Sequence, residues 1–124
     1  MSPLSVDERR LATGVLVTVT GEADSTNADW LESSIERVQR QGESLVLDLS
    51  GLTFMDSSGL AVLLRLNAAA RAQGGGLHLA AVQDLPARVL QISGVWDALN
   101  IHPSVDEAVA VVLHDHETRL QERQ

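Results

Sequence analysis

The spacing of apolar positions changes period several times along this chain, dividing it into alternating strands and helices. Residues 15–19, VLVTV, are β-branched and predict a short strand ending at Gly21, with a first edge strand near residues 4–11. Glu22 to Asn27 reads as a polar loop holding several candidate helix caps. From Ala28 to Gln41 the apolar positions Leu31, Ile35 and Val38 recur at helical spacing, Trp30 lies off that stripe, and Gly42 is the expected terminator. Leu45 to Leu49 is the second clear strand. A tight turn then leads into a helix from about Ser57 to Gln73, closed by Gly74-Gly75-Gly76. Leu77 to Val82 predicts a strand, residues 84–93 a short helix with Pro86 in its first turn, and residues 98–101 a final strand. Ser104 opens the last helix with Glu107 three residues on, the pattern of a capping box. The stripe of that helix is Val105, Ala108, Val109, Val112 and Leu113, and the polar tail from Glu117 is expected to fray.

Strands alternating with helices predict an α/β fold, a mostly parallel sheet with helices packed on it. A chain of 124 residues suffices for one core but not two, so a single domain is expected over 1–124, with its core at about 4–115 and a polar tail at 117–124. Apolar residues make up 44%, but the only aromatics are Phe54, Trp30 and Trp96, so the core has to be aliphatic. The absence of cysteine removes disulfides, thiolate metal sites and cysteine nucleophiles together. A net charge of −8 repels a phosphate backbone and attracts a basic partner surface, which argues against nucleic acid. The opening MSPLSVDERR lacks the basic-then-apolar order of a secretion signal, and no apolar run approaches the ~20 residues of a spanning helix. The expectation is a soluble, cytoplasmic protein with no membrane partner.

Candidate chemistry concentrates in LVLDLSGLTFMDSSGLAVLL, residues 45–64. Its centre, Asp56-Ser57-Ser58-Gly59, separates a strand pattern from a helix pattern. Asp and Ser before an apolar run are preferred N-caps, so one of Asp56, Ser57 or Ser58 is expected to cap, a contribution of roughly 1 kcal/mol. A serine there is also exposed and close to the positive end of a helix, where a phosphate is well placed. A catalytic serine fits less well: the nucleophile elbow needs G-x-S-x-G, and the sequence reads Met55-Asp56-Ser57-Ser58-Gly59. The helix that follows carries two apolar stripes, Leu60-Leu63-Leu64 and Val62-Leu66-Ala69, so it is either buried on several sides or offers a face to a partner. The triple glycine lacks the Lys-Ser/Thr of a phosphate loop and follows a helix. His114 and His116 are two apart on a helix and do not face each other, while His78 and His102 stand isolated in the sequence, so no metal site is expected. Asp24 and Asp56 are a conceivable carboxylate pair, although capping or surface positions are their ordinary role.

Residues 45–64 resemble the signature of STAS domains, above all the bacterial anti-sigma factor antagonists. Gly21-Glu22-Ala23-Asp24, Gly75-Gly76-Leu77-His78-Leu79, Ile92-Ser93-Gly94-Val95 and Ile101-His102-Pro103-Ser104 extend the resemblance in order over about residues 4–115. One departure is Ala23, where the family usually carries a larger aliphatic residue. The resemblance implies a STAS fold: a mixed, mostly parallel sheet of four to five strands with about four packed helices. It implies binding rather than catalysis, with no cofactor and no metal.

In the family, the unphosphorylated antagonist binds an anti-sigma factor that is also a serine kinase, and the sigma factor is released. Phosphorylation of a serine ends the binding, and a serine phosphatase restores it. Carried over, the acceptor is Ser57, with Ser58 as runner-up, and Asp24, Asp56, Ser58, Gly59 and Leu60 fall on the partner-binding surface. The chain is expected to be a monomer or weak dimer. The alternative is a non-phosphorylated STAS subunit of a phospholipid transport complex, docked on an ATPase. A small hydrolase using Ser57 ranks last.

Overall fold

The computed structural model describes residues 3–122 and has five strands and four helices. In chain order they are β1 (Ser5–Arg10), β2 (Gly14–Ala23), α1 (Ala28–Val38), β3 (Ser44–Met55), α2 (Ser57–Ala72), β4 (Leu77–Ala80), α3 (Asp84–Ile92), β5 (Asn100–His102) and α4 (Val105–Glu122). The strands lie in sequence order across one sheet. β1 pairs antiparallel with β2, and β2 to β5 are parallel neighbours. The expected α/β architecture, a mixed and mostly parallel sheet, is therefore present with its full complement of five strands.

Alternation along the strands sorts side chains onto two faces. Val15, Val17, Val19, Leu45, Leu47, Leu77 and Leu79 face α1, α2 and α3 and form the main core with Leu31, Ile35, Leu63, Leu66 and Leu90. Val46 and Ala80 face the other way, against Ala108 and Val112 of α4. Consecutive right-handed crossovers put α1, α2 and α3 on the same face of the sheet.

Several boundaries differ from the sequence reading, each for a local reason. β3 does not stop at Leu49. Ser50-Gly51 is absorbed as an irregularity in the β2–β3 ladder, with the Ser50 N–H on the Asp48 carboxylate at 3.0 Å and Gly51 close against Thr20. β2 likewise continues through Gly21, at φ +114°, to Ala23. α1 ends at Val38 rather than Gln41, because the Arg10 guanidinium takes the free Val38 carbonyl and pairs with Glu43 at 2.9 Å. Gly42, at φ +81°, shapes the turn beyond. Residues 96–98 form a single 3₁₀ turn, which pushes the last strand to Asn100–His102. Ser104 caps α4 through the Glu107 N–H at 3.2 Å as expected. That helix continues to Glu122 rather than fraying at Glu117, with Leu113 on its exposed side.

β4 ends at Ala80 because Ala81 turns to φ +56°. Two hydrogen bonds impose that turn. The Ala81 N–H donates to the His102 carbonyl at 3.1 Å, and Gln83 Nε2 donates to the Ala81 carbonyl at 2.8 Å. A left-handed residue with a Cβ costs roughly 1–2 kcal/mol, partly offset when glycine replaces it by the greater chain entropy glycine loses on folding. Ala81→Gly is therefore expected to stabilise the fold by up to about 1 kcal/mol, read as a thermal midpoint higher by about 2–4 °C. An unchanged or lower midpoint would show that Ala81 is not strained.

Candidate functional site

The long β2–β3 pairing decides where the site lies. Ala23 and Met55 are the last partners in the ladder, and the Asp56 N–H adds one more bond to the Ala23 carbonyl at 3.2 Å. The loop after β2 and the turn after β3 therefore emerge side by side. This brings Asp24 and Asp56 onto neighbouring strand ends, as no sequence argument could.

Each carboxylate is nonetheless committed to its own loop. Asp24 Oδ1 accepts from the Thr26 hydroxyl at 2.5 Å and the Thr26 N–H at 2.9 Å, which hold its pKa below the ordinary carboxylate value. Asn27 closes the loop, accepting from the Asp24 N–H at 3.0 Å and donating to the Glu22 carbonyl at 2.8 Å. Asp56 is the N-cap of α2, with its Oδ1 accepting from the N–H groups of Ser58 at 2.9 Å and Gly59 at 3.4 Å. The arrangement is two capped loops, not an acid–base pair.

The cap settles where an anion can sit. Of the helix's first N–H groups, Ser58 and Gly59 are held by Asp56 and Leu60 by the Asp56 carbonyl. The negative group that favours a helix start is already in place. Ser57, at the first helical position, is exposed, and among the described residues its hydroxyl makes no hydrogen bond. Ser58 is half-buried below it.

Gly59 is buried for a packing reason. A Cβ there would stand 2.6 Å from Met55 Cγ and 3.2 Å from Ala23 Cβ. Ala23 is itself the buried last residue of β2 rather than part of the loop. A small residue at 23 and none at 59 let α2 start directly on the end of the ribbon.

Along α2, Gly59, Val62, Leu63, Leu66 and Ala70 face the core, and Leu60 and Ala69 are half-buried. The outward side runs Ser57, Ala61, Leu64 and Ala68, with Leu64 its one large apolar residue. Beside it Arg65 grips Glu32 of α1 with both nitrogens and both oxygens in reach, at 2.8–3.0 Å, and this hydrogen bonding lowers the Glu32 pKa. The clamp joins residues 33 apart in sequence and has no sequence signal.

No histidine serves Ser57 as a base. His78 lies in register with Val46, nine residues along β3 from Met55, on the order of 30 Å at the ordinary strand rise. His114 and His116 lie on α4, across the sheet. Among the described residues there is no cluster suited to a metal ion, and no helix is long and apolar enough to cross a membrane.

A five-stranded mixed sheet with a capped serine turn at the end of its longest parallel pair defines a known class of domain. Residues 5–108 match the family model of the STAS domain, and the chain belongs to that family. Within it, the chain is 29% identical to the anti-sigma-B factor antagonist of Bacillus subtilis over 79% of this chain and 90% of that protein. It is 32% identical to the anti-sigma F factor antagonist of Paenibacillus polymyxa over 71% of this chain and 77% of that protein. Among solved structures, an anti-sigma factor antagonist from Mycobacterium paratuberculosis superimposes with a TM-score of 0.80 at 25% identity, covering 89% of this chain and 94% of that one. These relatives favour the antagonist reading over a transport-complex subunit.

The packing predicts two different costs at the turn. Asp56→Ala is expected to lower stability by about 1 kcal/mol through loss of the cap. Gly59→Ala is expected to lower it by about 1–2 kcal/mol, because overpacking against Met55 and Ala23 outweighs the better helix propensity of alanine. Urea denaturation checks both, and a Gly59→Ala protein as stable as the parent would contradict the close packing described.

Proposed function

We propose that this protein is an anti-sigma factor antagonist whose unphosphorylated form binds an anti-sigma factor through the Ser57 turn, and that phosphorylation of Ser57 ends the binding. The supporting observation is the exposed Ser57 hydroxyl, free of internal hydrogen bonds, at the head of the outward α2 stripe. Half-buried Ser58 is the poorer acceptor. Asp24, Asp56, Ser58 and Leu60 surround it as the binding surface, with Ala61 and Leu64 extending it; Gly59, expected on that surface, is buried and serves the packing beneath it. The protein works in the cytoplasm as a binding partner rather than an enzyme. Its partners are an anti-sigma factor that is also a serine kinase, and a phosphatase that resets the switch.

The switch follows from charge and crowding. A phosphoryl group adds about −1.5 to −2 charges. The neighbouring N–H groups of Ser58 and Gly59 are already taken by Asp56. The new charge therefore finds a carboxylate beside it rather than an empty anion site, and projects into solvent. The fold tolerates a projecting group. A close interface does not, because it must desolvate the added charge next to Asp56.

Two substitutions test this. Ser57→Ala is expected to bind the anti-sigma kinase of the same genome as tightly as the parent and to accept no phosphate. Ser57→Asp is expected to bind at least about a hundredfold more weakly, an interface penalty near 3 kcal/mol, while keeping its thermal midpoint within a few degrees. Phosphate mapped to Ser58 with Ser57 untouched would overturn the assignment. Capture of a transport ATPase in place of the anti-sigma factor would overturn the function.

A further inference from the structure

His78 and His102, isolated in the sequence, meet on the α4 face of the sheet. His78 Nδ1 lies 3.0 Å from His102 Nε2, with ring centroids 5.2 Å apart. A neutral imidazole has one donor and one acceptor nitrogen, so this contact requires one ring to donate and the other to accept. His78 is only 5% exposed. A separation of 3.0 Å is a hydrogen-bond length, and no third ligand completes a metal site among the described residues.

The charged groups facing the pair are few. From β3 come Ser44 and Val46, which carry no charge, while Asp48 further along spends its carboxylate on the Ser50 N–H. From β5 comes neutral Asn100, whose Nδ2 donates to the Leu77 carbonyl at 3.0 Å. α4 brings Asp115, flanked in sequence by His114 and His116, and α2 brings Arg71. Asp115, Arg71 and both imidazoles line one open cleft of about 690 Å³.

The pair ties β5 to β4 beneath α4, and both β5 and α4 are lightly held. β5 has just three residues in register with β4. α4 rests on a small cluster, Val46, Ala80, Ala108 and Val112, whereas the other face carries the main core. Elements with little buried apolar surface open first. We infer that the His78–His102 hydrogen bond is an acid-sensitive latch that holds β5 and α4 on the sheet and releases them locally when protonated.

One added proton places a charge in a buried site. A second removes the acceptor lone pair and sets two cations 3.0 Å apart. Burial, and then the proximity of His102, hold the His78 pKa below its ordinary 6.5, with Asp115 opposing. Because the folded value lies below the unfolded one, the unfolded chain binds more protons in that window. The stability supplied by the pair is complete above pH 6.5 and declines as pH falls through 6.5 toward the folded value.

Imidazole NMR titration and amide exchange on the full chain test the latch. Between about pH 7.5 and about pH 5, the buried His78 ring is expected to begin protonating, at a pH below its ordinary value. Protection factors at 100–102 and 108–112 are expected to fall by about tenfold or more, while those at 45–49 fall by less than about threefold. His78→Gln keeps a hydrogen-bonding side chain without the buried titrating ring and is expected to lose most of that pH dependence. Three results would each overturn the inference: α4 protection independent of pH in the native protein, an undiminished fall in His78→Gln, or a loss shared equally by β3. The native measurement decides alone if the variant does not fold.

Discussion

The parallel ladder between β2 and β3 is the constraint on which the rest of the structure depends. It outlasts β4, which accompanies only the first part of β3, and carries two strand ends to the same place. The bond from the Asp56 N–H to the Ala23 carbonyl sets the direction in which α2 leaves. Ala23 and Gly59 then let that helix begin in contact with the ribbon, so the serine turn is packed directly on the end of the sheet. Two irregularities, near Ser50-Gly51 and at Gly21, let the strands extend this far without ending in turns.

The chemistry of the turn follows from how its backbone donors are shared out. A helix start attracts anions, and here Asp56 supplies the anion from within the chain. The phosphoryl group proposed for Ser57 would therefore add charge to a place already neutralised. Its effect falls on what approaches the surface more than on the fold itself. The Arg65–Glu32 clamp fixes the spacing of α1 and α2 beside that surface. A scaffold of this kind suits the proposed switch, which would work by obstruction.

The sheet's two faces are unequal. Three crossover helices bury most of the aliphatic core on one side, and α4 covers the other with a few valines and alanines. The Ser57 turn is tied to the robust side, whereas the histidine pair lies under the slighter one. α4 does pack on Val46 of β3, but the Ser57 turn lies at the far end of that strand and on α2, so a local opening of α4 acts away from the turn.

Much of this was legible in the chain. The alternation of β-branched runs with helical stripes determined the α/β class, the element order and a cap within Asp56-Ser57-Ser58, because these depend on period and on neighbours a few residues apart, while the structure chose Asp56 among the three. The Asp56-Ser57-Ser58-Gly59 turn stood out for the same reason. Strand ends were less legible, since Ser50-Gly51 and Gly21 are turn residues that pairing with a partner strand can override. The tertiary structure alone decided the adjacency of Asp24 and Asp56, the clamp between residues 32 and 65, the meeting of His78 with His102, and which sides of α2 and α4 face water. Those are contacts between residues far apart in the chain, and they arise only when the sheet register and the crossovers bring them together.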